Sequence, residues 1–103
     1  MSPHSHQTID FRTPVLHEIR GKGYTPVDMH IHTRHSDAAI SIPSLLTRAK
    51  QLGAGVAITD HNEIQGVIEA YQHSSGVLVI PGIELSALEG PHVLLYFLSL
   101  IHI

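Results

Sequence analysis

Three histidines, at 30, 32 and 35, stand between aspartates 28 and 37 in the run VDMHIHTRHSD. If the run is extended, His30 and His32 face the same side, with Cα atoms roughly 7 Å apart. Two imidazoles converging from there can share one metal ion. Neighbouring carboxylates suit a hard or borderline ion such as zinc, manganese or iron. The chain has no cysteine, which removes thiolate sites and disulfides. A set of His, Asp and Glu ligands with open positions is the chemistry of a hydrolytic centre, where the metal lowers the pKa of bound water to about 7.

The elements that would position these residues are legible as apolar runs. Val27 to Ile31 alternates, with Val27, Met29 and Ile31 on one face and Asp28, His30 and His32 on the other. TPVLHEIR predicts a short helix capped by Thr13, with Pro14 in its first turn and Gly21 and Gly23 at its end. Residues 42–52 predict a helix with Pro43 near its start, a stripe of Leu45, Leu46, Ala49 and Leu52, and Gly53 as C-cap. GVAIT predicts a buried parallel strand, and VLVI (77–80) and HVLLYFL (92–98) predict two further apolar strands. TDHNEIQG and PGIELS predict loops, and IEAYQH a short helix. This rhythm is that of an α/β fold with a mostly parallel sheet, in which functional residues gather where strands end.

The chemically capable residues fall there. His30 and His32 end the first strand, Asp60 and His61 follow GVAIT, Glu84 follows VLVI, and His92 opens the last apolar run. Each piece is weak alone, because a lone HxH, loop histidine or loop carboxylate is commonplace. Together, His30, His32, His61 and Glu84 read as one metal site. Asp28 and Asp60 are expected to support it, by orienting an imidazole or closing a turn. His35 reads as an exposed loop residue; His17, His73 and His102 read as structural or solvated, and His4 and His6 as part of a polar tail.

The chain of 103 residues carries 43% hydrophobic and 15% charged residues, a globular composition, with a formal net charge of −3. No broad basic field draws it to nucleic acid or anionic lipid. No apolar run reaches the ~18 residues of a membrane span. MSPHSHQTID lacks the apolar core of a signal peptide, so a cytoplasmic location is expected. The ten histidines are scattered, unlike an affinity tag.

DMHIHTRHSD, then TDH, then GIE, then HVLLYF resemble, in order and spacing, the first half of a PHP domain, the polymerase and histidinol phosphatase family. The resemblance covers about residues 24 to 98. It implies a partial, distorted (β/α)7 barrel truncated after about its first half, two or three divalent ions (Zn, Mn, Fe or Mg) and phosphoester hydrolysis. By position, His30 and His32 would bind one ion, Glu84 would bridge two, and Asp37, His61 and His92 would bind the second or third. Catalysis would run through metal held by His30, His32 and Glu84. The substrate implied is a small phosphorylated metabolite or nucleotide. Alternatives are a 3′–5′ nuclease, with nucleic acid less favoured by the charge, and a non-catalytic metal-binding module of a larger protein.

Two departures stand out. Ala38 occupies the place of the family's usual glycine, and the family's later motifs, a further histidine and a closing D-x-H, are not in this sequence. Residues 1–23 are expected to form a partly irregular leader, and 24–97 the N-terminal part of the domain. LSLIHI (98–103) can be written in codons as CTG TCT CTT ATA CAC ATC, which resembles a transposase sequencing adapter, so a non-native tail is expected. A half barrel would leave apolar faces uncovered, so the 103-residue chain alone is expected to be poorly stable and nearly inactive.

Overall fold

A computed structural model describes residues 12–74 and 76–99. His4, His6, His102 and residues 100–103 of the expected tail lie outside the described residues. The element order is α1 (Leu16–Gly21), β1 (Val27–Ile31), α2 (Ile42–Leu52), β2 (Gly55–Ile58), α3 (Gln65–His73), β3 (Val79–Ser86) and β4 (His92–Tyr96). The strands form one sheet in the order β1-β2-β3-β4. β1 pairs with β2, and β2 with β3, in parallel. A parallel pair needs a crossover to bring the chain back, and α2 and α3 supply the two crossovers.

The core lies between these helices and one face of the sheet. Ile42, Leu45, Leu46 and Ala49 of α2 and Val67 and Ala70 of α3 pack with Val56, Ile58 and Val79. Each large apolar side chain buried there stabilises the fold by about 1.5–3 kcal/mol. α2 begins where Ser41 accepts a hydrogen bond from the Ser44 N–H, 3.4 Å. It ends at Gly53, whose φ of 63° is open to glycine at little cost. Leu52, expected in the apolar stripe, is 45% exposed, and Ile42 is buried in its place. The stripe thus starts one turn earlier than its leucines suggest.

Several boundaries differ from expectation. α1 starts at Leu16 with Val15 as an uncapped N-cap, so Thr13 does not cap it. In β1 the register slips between Asp28 and Ile31, where three residue steps face two on β2. Strict alternation is broken there: Ile31 packs on the core while Met29 is exposed. Such irregularities bend a strand and re-aim its side chains, and this one falls at His30.

PGIELS is not a loop. β3 runs unbroken from Val79 through Pro81 and Gly82 to Ser86. Pro81 lacks an N–H, but its carbonyl accepts from Phe97 N at 2.9 Å, which keeps it in the ladder. A Cβ on Gly82 would lie 2.9 Å from Thr59 Cγ2 and 3.2 Å from the Leu95 carbonyl, so glycine here permits close strand packing and does not signal a turn. β4 is antiparallel to β3, with Ser86 opposite His92 and Glu84 opposite Leu94. That reversal carries His92, the first residue of its strand, to the rim where β3 ends.

The sheet curls. The Tyr96 hydroxyl of β4 donates to the Met29 carbonyl of β1, across two intervening strands. The architecture is mixed α/β with a half-barrel sheet. On its outer side Leu85 and Val93 are register partners, and together with Leu95 they are exposed. No helix among the described residues is long and apolar enough to cross a membrane.

Candidate metal centre

Glu84 is the pivot. β3 delivers it to the concave rim at 5% exposure. Its Oε1 lies 2.6 Å from His30 Nε2 and 3.2 Å from His32 Nε2. Its Oε2 lies 2.8 Å from His92 Nδ1 and 3.5 Å from His61 Nδ1. One carboxylate therefore faces four imidazoles, two on each oxygen. Asp37 joins from the loop after β1, with Oδ2 3.0 Å from His61 Nε2 and Oδ1 3.5 Å from His32 Nδ1. The His32 and His61 rings stack, with centroids 4.4 Å apart and planes 11° apart.

Three overlapping groups have candidate ligand atoms mutually within 4.8 Å: His30–His32–Glu84, His32–Asp37–His61 and His61–Glu84–His92. All six residues expected to bind metal are thus brought together. Burial pushes the Glu84 carboxyl up, but hydrogen bonds from His30 and His92 and the charges of His61 and His30 outweigh it and hold the group below its ordinary value.

The donor set fits a divalent cation. His30 Nε2 and His32 Nε2 are 3.0 Å apart and both face the same carboxylate oxygen. His32 Nδ1 is buried without a hydrogen-bond partner, its 3.5 Å approach to Asp37 being an ion-pair distance only. Buried polar atoms are ordinarily paired. Among the described residues no Lys or Arg pairs with Glu84 or Asp37. A metal ion would supply the missing positive charge, and His30, His32, Asp37, His61, Glu84 and His92 could hold it.

The two supporting aspartates differ. Asp28 Oδ1 accepts from the His30 backbone N–H at 3.1 Å, on the surface. Asp60 is fully buried, and its carboxylate makes no hydrogen bond or ion pair to an imidazole among the described residues. Its Oδ1 accepts from Thr33 N at 2.6 Å and Ser36 Oγ at 2.7 Å, and its Oδ2 from Thr33 Oγ1 at 2.7 Å. Of its two expected roles, it fills the turn-closing one. It pins the loop that carries Asp37.

His35 is not the exposed loop residue expected. It is half-buried, with Nε2 2.9 Å from Glu69 Oε1 on α3. It belongs to none of the three groups. His35→Ala is expected to leave metal affinity within about twofold and to lower stability by less than about 1 kcal/mol, the range of a partly exposed ion pair. Parallel metal titrations and urea melts check this.

Sequence reasoning missed Ser86 and Asn62. The Ser86 hydroxyl lies 2.7 Å from Nδ1 of His61 and 2.7 Å from Nδ1 of His92. Its signal was present, since Ser86 follows Glu84 by two and so shares its strand face. That signal was hidden by reading PGIELS as a loop. A cleft of about 420 Å³ beside α1, lined by Val15, Glu18, Ile19 and Tyr24 among others, holds none of the six residues. The histidine cluster lies on an open rim.

No curated protein matches the chain. The crystal structure of a candidate metal-dependent phosphoesterase from Bifidobacterium adolescentis superposes with a TM-score of 0.59 at 35% identity, over 68% of this chain and 26% of that one. The present chain thus spans about a quarter of the length of that relative. The PHP domain model matches residues 28–99, a range that takes in β1 from Asp28 onward, β2 to β4 and all six clustered residues, and the chain belongs to the PHP domain family.

Proposed function

We propose that this chain contributes the first part of a metal-dependent phosphoesterase centre, with Glu84 shared between two divalent ions. The observation that carries the reading is the split of Glu84, Oε1 toward His30 and His32, Oε2 toward His61 and His92. A neutral imidazole has one lone pair, whereas a carboxylate has two oxygens to offer. His30–His32–Glu84 and His61–Glu84–His92 share only Glu84, so both can be filled at once. His32–Asp37–His61 competes with each of them for an imidazole. Asp37 then orients His61 through Nε2, or serves a third ion.

When bound, the ions would neutralise phosphate charge and acidify a water at the rim. The chain's own residues set the geometry for that. Glu84 spaces the two histidine pairs, the stacked His32 and His61 rings limit each other's rotation, and the Asp60 clamp holds Asp37 in reach. The relative described as a candidate metal-dependent phosphoesterase supports the reaction class. A small phosphorylated metabolite or nucleotide is the substrate class we favour, since the formal charge of −3 gives no attraction to a long polyanion. We also infer that further ligands come from sequence outside these residues, as the chain spans 26% of that relative. The exposed Leu85, Val93 and Leu95 agree with a sheet built to be covered.

Replacing His30 and His32 together by Ala is the direct test. Divalent metal measured by elemental analysis after dialysis should drop by at least one ion per chain, and phosphoester turnover by a longer protein carrying this segment should fall to background. Unchanged metal stoichiometry would discard the assignment.

A further inference from the structure

Asn62 is the one non-glycine residue with positive φ among the described residues, at 49°. It follows His61 directly, in the loop after β2. Its side-chain amide makes two bonds to the backbone of Ser86: Oδ1 accepts from Ser86 N at 2.9 Å, and Nδ2 donates to the Ser86 carbonyl at 2.9 Å. β2 has ended at Ile58, yet the parallel ladder goes on. Glu84 N donates to the Asp60 carbonyl at 3.1 Å, and Asn62 N to the Glu84 carbonyl at 2.9 Å. The amide of Asn62 supplies the next pair of ladder bonds with a side chain in place of a strand.

We propose that Asn62 is a positioning residue for the metal centre. Its clasp on Ser86 holds His61 beside Glu84 and sets the Ser86 hydroxyl between His61 and His92. Three observations converge on it. The left-handed backbone at Asn62 is a conformation that costs most residues free energy and that asparagine tolerates better. Both hydrogen-bonding groups of its amide are used on one residue. That residue contacts two of the six clustered side chains. The inference rests on the metal reading above and extends it to a residue that touches no ion.

Two substitutions separate the clasp from the backbone. Asn62→Gly keeps the left-handed conformation without strain and removes the side chain. Asn62→Asp keeps the size and the acceptor but sets a carboxylate oxygen against the Ser86 carbonyl, and serves if the glycine variant does not fold. Each is made in the full chain and compared with wild type in two ways. Cobalt(II) titration, followed by visible absorption, reads affinity. Nuclear Overhauser contacts between the His32 and His61 rings in the metal-free chain read position.

Both variants are expected to lose the ring contacts and to bind cobalt about 10–100-fold more weakly, the usual loss for a partner behind a ligand. Wild-type affinity and wild-type ring contacts in both variants would overturn the clasp and leave the metal reading standing. A wild-type chain that binds no cobalt would overturn the metal reading, and with it Asn62's role toward an ion. The ring contacts would then still report whether the clasp positions His61.

Discussion

Glu84→Gln is expected to weaken divalent metal binding by more than about 100-fold, the largest loss of any single substitution in the chain. Glutamine has the same shape, so packing around β3 should persist. What goes is the charge and one of two oxygens. In place of Oε1 or Oε2, an NH₂ group would face two imidazole nitrogens, so one histidine pair is left without its anionic partner. Losing a residue behind a ligand typically costs 10–100-fold, and Glu84 touches both pairs directly. Cobalt titration reads the loss, and wild-type affinity in the glutamine variant would refute the shared-carboxylate arrangement. The metal-free chain gives a second readout. The folded-state pKa of Glu84 lies below its ordinary 4.5. Its contribution to stability is therefore fully present above that value and is lost as pH falls through the lower folded value. The glutamine variant should lose that part of the acid limb in melts between neutral pH and pH 3.

How far the sequence foretold this centre depends on the range of each interaction. His30 and His32 were legible because a strand's two-residue period is local. TDH and GIE were legible because they follow apolar runs that bury wherever they occur. The path of β3 through Pro81 and Gly82 was not, since both residues ordinarily break strands. What keeps them in one is tertiary: the Phe97–Pro81 ladder bond and the tight approach of Gly82 to Thr59. The antiparallel return of β4 was hidden for the same reason, although it alone explains how a residue opening a strand reaches the rim. His35 and Glu69, and Asn62 and Ser86, meet across 34 and 24 positions. No local pattern encodes such pairs. Residue chemistry names His30, His32, His61 and Glu84 as candidate ligands and the family resemblance adds Asp37 and His92, while the parts that hold them depend on closures of the chain between distant positions.

Gly66→Ala sets two effects of opposite sign against each other, and the structural one should win. Gly66 lies in the first turn of α3, and alanine in a helix is favoured over glycine by up to about 1 kcal/mol. Against this, a Cβ at Gly66 would overlap Asp60 Oδ2 and lie 3.0 Å from Thr33 Oγ1 and 3.3 Å from Ile58 Cγ2. An exposed carboxylate could swing away from such an intruder. Asp60 cannot, because it is fully buried and holds three hydrogen bonds of 2.6 to 2.7 Å. Overpacking a core costs about 1–3 kcal/mol, and loosening one hydrogen bond to a charged group adds about 1.5–3 kcal/mol. A net loss of about 1.5–5 kcal/mol follows, a large part of the 5–15 kcal/mol that holds an ordinary domain together. The same displacement moves the Thr33–Ser36 segment and with it Asp37, so cobalt affinity should fall alongside the melting temperature. Gly21→Ala is the matched control: also in a helix, but with nothing within 4 Å of its added Cβ. It should leave stability unchanged or slightly raised. If both variants melt together, the buried carboxylate is not the rigid clamp inferred from its bonds, and the placing of Asp37 must be sought in the His61 contact instead.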